Sequence, residues 1–251
     1  MSIYKLYNNE IELHFDDKKH AYTVNNKAVA SVTGITGVVT SPALMYWAVN
    51  QATDFISRNW KAGTVYDEIE IKEILEDAKK AHRKTSSSAA LIGTITHDYV
   101  QRYSLYRQKK IDKPRLPVNP LAEKACLQFV DWVDKNNVTF NDTEFKIYSK
   151  KHNFAGTVDA DITIGKKRFI VDYKTSSGIY DAMGLQLAGY QLAREEEEVA
   201  KYDSRMILRL PKNGSDFESK EFPDYDADKK AFLACLAYKT WQDANKSKKS
   251  K

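Results

Sequence analysis

The stretch GTVDADITIGKKRFIVDYKTS, Gly156 to Ser176, constrains this chain most. Apolar and other residues alternate on both sides of a short GKK, the period of strands joined by a turn. An antiparallel pair is therefore expected, and buried strands should not carry charge unless it is paired or binds a cation. Yet this pair carries Asp159, Asp161, Asp172 and Lys174. If the strands pair through GKK, Asp159 and Asp172 come together at one end of the sheet. Lys174, two residues beyond Asp172, shares its face.

Two carboxylates held close repel, which raises a pKa or recruits a cation. A hard divalent ion, Mg²⁺ or Mn²⁺, prefers such oxygen ligands, and the Tyr173 carbonyl offers one more. A lysine beside them suits metal-assisted phosphodiester hydrolysis, where it orients water or neutralises developing charge. The bland alternative is a set of ion-paired strand residues. Asp161 falls on the Asp159 face and is a spare carboxylate. Glu144 opens the preceding strand, TEFKIYSKK, and either reaches the metal through water, binds the lysine, or is solvated. Thr175 and Ser176 either donate to phosphate or end the strand.

The surrounding pattern sets the fold class. Residues 10–31 read as short strands. Helices are expected over SPALMYWAVNQATDFISRNW (Ser41 capping, Pro42 in the first turn), over DEIEIKEILEDAKKAHR (Ile69, Ile71, Ile74, Leu75 and Ala78 inward) and over SAALIGTITHDYVQRYSLYRQ. NPLAEKACLQFVDWVDKNN adds a helix with Leu121, Ala125, Phe129 and Val133 on its stripe. A strand meander, the DAMGLQLAGYQLAREEEEVA helix, the SRMILRLP strand and a terminal helix with Phe232, Leu236 and Trp241 complete the chain. From residue 119 the order is α-β-β-β-α-β, an α/β (α+β) domain with a central mixed sheet. Residues 1–118 form an N-terminal strand and helical extension wrapped on a 119–245 core, within a single structural domain, and 246–251 are a basic tail. REEEEV reads as a solvated helix face.

Charge and composition narrow the classes further. The formal charge is +5 with 42% hydrophobic residues, which permits a nucleic-acid partner without demanding one. Two separated cysteines exclude a thiolate zinc or iron–sulfur site. No apolar run is long enough for a membrane span, no apolar signal region opens the chain, and a reducing, cytoplasmic compartment is expected. Arg102, Tyr103, Tyr106, Arg107 and Trp60 lie in basic, aromatic clusters that suit a single-strand channel or, at helical spacing, a core.

GTVDAD followed by VDYKTS resembles the PD-(D/E)xK nuclease superfamily, and most its RecB-like exonuclease branch. GTITHDYVQRY is similar to that branch's GxxxH helix and QLAGYQLA to its QxxxY helix. ASVTGITG resembles the SVT segment of phage exonucleases and mitochondrial genome maintenance exonucleases. The motifs cover residues 31–192 with gaps, and their order is the specific part. The resemblance implies a restriction-endonuclease-like core and Mg²⁺- or Mn²⁺-dependent cleavage of DNA from an end, a single-stranded end best matching. It implies metal ligands at His97, Asp159, Asp172 and the Tyr173 carbonyl, with Lys174 serving the attacking water and Gln186 and Tyr190 positioning DNA or the lysine. The iron–sulfur cluster of some relatives does not carry over. Replication, recombination or repair is the implied setting, with recombination or replication proteins as partners. A structure-specific endonuclease and a non-catalytic DNA-binding subunit are the competing readings.

Overall fold

The computed structural model describes residues 1–39 and 42–249, so the expected Ser41 cap lies outside the described residues. By its contacts the chain divides into two units, Thr40–Thr94 and Met1–Val39 with Ile95–Lys251. The elements are β1 (Ser2–Leu6), β2 (Ile11–Asp16), β3 (Ala21–Val24), β4 (Lys27–Ser31), α1 (Val32–Thr36), α2 (Pro42–Asn59), α3 (Glu68–Arg107), α4 (Pro120–Lys135), β5 (Thr139–Ser149), β6 (Phe154–Ile164), β7 (Lys167–Lys174), α5 (Ala182–Glu196), β8 (Ser204–Arg209), β9 (Glu218–Glu221) and α6 (Tyr225–Lys249). Among the described residues no helix is long and apolar enough to cross a membrane.

The smaller unit holds α2 and the first part of α3. Asp67 caps α3: its Oδ1 accepts from the Ile69 and Glu70 amides, each at 2.8 Å, while Glu70 accepts from the Asp67 amide at 3.0 Å. These reciprocal bonds satisfy amides that a helix start leaves orphaned. Two helices were expected across residues 67–108, and one runs through. The intervening KTSSS contains no glycine or proline, so it lowers helix propensity without forcing a break. Ala78 is buried as expected, but Ile69 and Leu75 are exposed. Trp60 packs its ring on Tyr66 in this unit.

In the larger unit, β1 to β4 form an antiparallel meander. Its β3–β4 turn places Asn25 and Asn26 at φ 50° and 59°, the left-handed pair that a tight hairpin needs and asparagine tolerates. β4 then pairs in parallel with β6, so these strands join the core sheet instead of wrapping it. The elements α4-β5-β6-β7-α5-β8 follow the expected order. β5, β6 and β7 are antiparallel neighbours, β8 lies parallel to β7, and β9, a wholly exposed ESKE strand absent from the expectation, closes that edge. Gly165, at φ 60°, makes the β6–β7 turn.

Both faces of this sheet are covered. One packs Val171, Tyr173 and Leu208 under Val100 and Tyr103 of α3 and Ala125, Phe129 and Val133 of α4. The other packs Val158, Ile170 and Ile207 under α1, α5 and α6 through Val32, Leu187, Tyr190 and Phe232. A third cluster, Leu13, Phe15, Tyr22 and Val24 with Tyr148 and Ala155, seats the N-terminal meander. Leu121 and Trp241 do not join these cores: both are exposed, and Trp241 stacks on Tyr238 along α6. REEEEV is not a solvated face either. Glu196 accepts from the Ser149 hydroxyl at 2.5 Å and the Lys151 amide at 2.6 Å, and Glu197 accepts from the Tyr7 amide at 3.0 Å. The acidic run ties down two turns that have spare donors.

Candidate active site

One edge of β6 pairs with β5 alone, whereas the other edge is shared. β4 occupies it at Phe154 and Ala155, and β7 occupies it from Ala160 to Ile164. Among the described residues, no strand pairs with Gly156–Asp159 on that side, and the sheet forks there. The fork opens into a cavity of about 830 Å³, lined by Asp159, Asp172, Tyr173, Lys174, Gln186, Tyr190, His97 and Glu144 among others. The expected carboxylates therefore meet in the middle of β6, where the sheet divides, and not at its end.

Side-chain alternation also resets at this point. Val158 packs toward α1 and α5, but Ala160 and Ile162 pack toward α4. Opposite Asp159, the β5 ladder skips Glu144, which adopts φ 53°, a left-handed conformation rare for glutamate. Glu144 thus lies inside β5 rather than opening it, and it lines the cavity. Burial raises its carboxyl pKa; Lys146 opposes the shift and Asp172 adds to it.

Asp159 bridges the fork, its Oδ2 accepting from the Tyr173 amide at 2.6 Å. Burial, then the charge of Asp172, push its carboxyl well above the usual carboxylate range. Asp172 is 3% exposed. Its Oδ1 accepts from Gln186 Nε2 at 2.9 Å, and its Oδ2 forms an ion pair with Lys174 while accepting no well-directed hydrogen bond. Lys174 also donates to Gln186 Oε1 at 3.0 Å. Burial alone would lower the lysine pKa, but Asp172 and Asp159 outweigh it and raise it. Gln186 Nε2 reaches Tyr190 Oη at 2.7 Å, so α5 fastens the acid and the lysine through one amide. The i, i+4 spacing of Gln186 and Tyr190 puts both on that helix face.

His97, on α3, sets its ring edge-on to that of Tyr173 with centroids 6.1 Å apart. Burial lowers its pKa, which favours the neutral imidazole with a free lone pair, and Asp172 opposes this. The Tyr173 ring is core, but its carbonyl borders His97. Thr175 and Ser176 line the cavity, and Ser176 donates its hydroxyl proton to the Gly178 carbonyl.

Four expected residues stand elsewhere. Asp161, fully buried, accepts from Arg168, Asn141 and Tyr202 and is a structural charge. Its presumed common face with Asp159 rested on unbroken alternation. Tyr103 is 3% exposed within the α3–α4 core. Arg102 is exposed and is not among the cavity residues. Arg107 pairs with Asp134. Sequence reasoning missed Lys146, Thr157 and the Tyr4, Phe15 and Tyr22 rings, which all line the cavity. The signal was present, since Lys146 follows Glu144 by two and Thr157 precedes Asp159 by two.

The donor set decides whether a metal ion fits. Among the described residues, no three His, Cys, Asp or Glu side chains form a ready cluster. The set is instead two close carboxylates and a main-chain carbonyl, with the His97 imidazole adjacent. Its hard oxygens suit Mg²⁺ or Mn²⁺. The donor chemistry therefore fits.

No family model matches the chain, and no curated protein matches it. A solved structure described as the crystal structure of SSO0001 aligns over 78% of this chain and 86% of its own, with 13% identity and a TM-score of 0.30. That likeness is too slight to carry an argument.

Proposed function

We propose that the chain is a metal-dependent DNA exonuclease of the RecB-like PD-(D/E)xK kind, acting on single-stranded ends. The observation that carries this reading is the meeting of Asp159, Asp172 and Lys174 at the β6 fork, held by Gln186 and Tyr190. Asp159, Asp172 and the Tyr173 carbonyl would hold Mg²⁺ or Mn²⁺, with His97 beside them. A bound divalent ion would supply charge neutralisation at the phosphate and a lowered water pKa.

The chain's own groups do the rest. Lys174, kept cationic by two acids, orients the attacking water and offsets charge on the phosphate. Gln186 fixes both Lys174 and Asp172, and Tyr190 fixes Gln186. Water attacks phosphorus, a new P–O bond replaces the broken ester bond, and the leaving oxygen takes up a proton. No covalent enzyme intermediate forms. The setting is DNA replication, recombination or repair in a reducing cytoplasm, beside proteins of those processes.

The test uses linear single-stranded DNA labelled at either end and the same sequence as a closed circle, with Mg²⁺, Mn²⁺ or EDTA. Metal-dependent loss of the linear strand with an intact circle is expected. A cut circle would make the enzyme an endonuclease. Silence on every substrate would leave only a DNA-binding subunit.

A further inference from the structure

Lys146 stands apart from the acid–lysine set in the same cavity. It is 8% exposed, and its ammonium lies 4.5 Å from the Phe15 ring centroid and 5.4 Å from that of Tyr4. Among the described residues it makes no hydrogen bond and no ion pair. Glu144, Asp17 and Asp159 act on it only at longer range. A lysine this buried normally finds a partner for its ammonium, because desolvating that charge unpaired is costly. Cation–π contact recovers only part of that cost.

A second observation lies across the strand. Thr157 sits opposite Lys146 in the β5–β6 register, and its hydroxyl shares one 2.7 Å hydrogen bond with that of Tyr22. Two hydroxyls joined by one bond leave one O–H free to donate. The cavity wall therefore offers a cation and a spare donor side by side, which is an anion site. Thr157 precedes Asp159 by two residues, about 7 Å along a strand. That offset is of the order of one nucleotide step.

We propose that Lys146, with the Tyr22–Thr157 hydroxyl pair, binds a phosphate of the DNA strand next to the one that is cleaved. This deepens the nuclease reading and rests on it for the identity of the anion. Tyr4 and Phe15 hold the ammonium in place by their ring faces.

The test is binding of a fluorescent single-stranded oligothymidylate to the whole chain in EDTA, by anisotropy, across a salt series. Lys146→Met keeps an unbranched apolar stem of similar length and removes the charge. It should weaken binding about tenfold or more, and flatten the slope of log K against log salt by about 0.7. Inorganic phosphate should compete with the oligonucleotide on the wild type and lose that effect in Lys146→Met. Lys146→Arg should retain most of the binding. Unchanged affinity and slope in a Lys146→Met protein that melts like the wild type would overturn the proposal. If that variant fails to fold, absence of phosphate competition on the wild type overturns it equally. A wild type that binds phosphate through Lys146 but cuts no DNA would refute the nuclease reading and leave the anion site standing.

Discussion

Replacing Gly156 by alanine puts a methyl group where the site has no room. A Cβ there would lie 2.9 Å from Tyr190 Cε1, 3.1 Å from Val32 Cγ2 and 3.4 Å from Ile147 Cδ1. Carbon contacts settle near 3.5–4.0 Å, so the Tyr190 ring must move by roughly 0.5–1 Å. It has little freedom to do so: the ring is 2% exposed, Val32 and Ile147 are fully buried, and the Tyr190 hydroxyl is bonded to Gln186. Overpacking of this kind costs about 1–3 kcal/mol. Reduced freedom of the unfolded alanine chain offsets about 0.4–1 kcal/mol of it. The net loss of about 1–2 kcal/mol should lower the melting temperature by about 3–6 °C. Because Tyr190 steadies Gln186, and Gln186 steadies Lys174 and Asp172, DNA cleavage should fall as well. The assay is thermal unfolding in EDTA of wild type, Gly156→Ala, Tyr190→Leu and the double variant. Leucine lacks the clashing ring carbon, so the alanine should cost clearly less in that background. A Gly156→Ala protein melting within about 1 °C of wild type, or an equal loss in both backgrounds, would refute the packing argument.

Two further outcomes bear on the charges. The folded-state pKa of Asp159 is raised, so its carboxyl penalises the fold increasingly as pH rises through that pKa, and the penalty vanishes at low pH. Asp159→Asn should therefore melt above wild type at neutral pH in EDTA, with the gain shrinking on acidification; Mn²⁺ should raise the melting temperature of wild type but not of the variant. A variant equal to wild type across the pH range would show that Asp159 carries no such penalty. Arg168→Leu strips the fully buried Asp161 of its ion-pair partner. Arg168 is one-third exposed, which tempers the loss to about 2–3 kcal/mol, read by chemical denaturation. A loss below about 0.5 kcal/mol would mean that Asn141 and Tyr202 suffice.

The β5–β7 meander was legible because alternation, a glycine turn and short connections are local signals. So were α4, with its Asn119 cap and proline at the start, and the convergence of Asp172 with Lys174, which needs only a strand period. The fork was not legible, since β4 reaches β6 from more than a hundred residues away and only two residue pairs join them. The reset of alternation at Asp159 follows from that fork and from the left-handed Glu144, and no local pattern announces either. Asp161 was misplaced for this reason, and Lys146 was overlooked because its rings come from β1 and β2. β9 escaped notice because an all-polar ESKE has no alternation to read.

The decisive measurement is the rate at which Asp172→Ala degrades linear single-stranded DNA with Mn²⁺, beside wild type, on protein shown to be folded by circular dichroism. Loss of cleavage to the EDTA background is expected, since Asp172 holds Lys174 and, in the proposed site, would share the metal with Asp159. Cutting at the wild-type rate would mean that the fork between β4 and β7 is not where the chemistry happens.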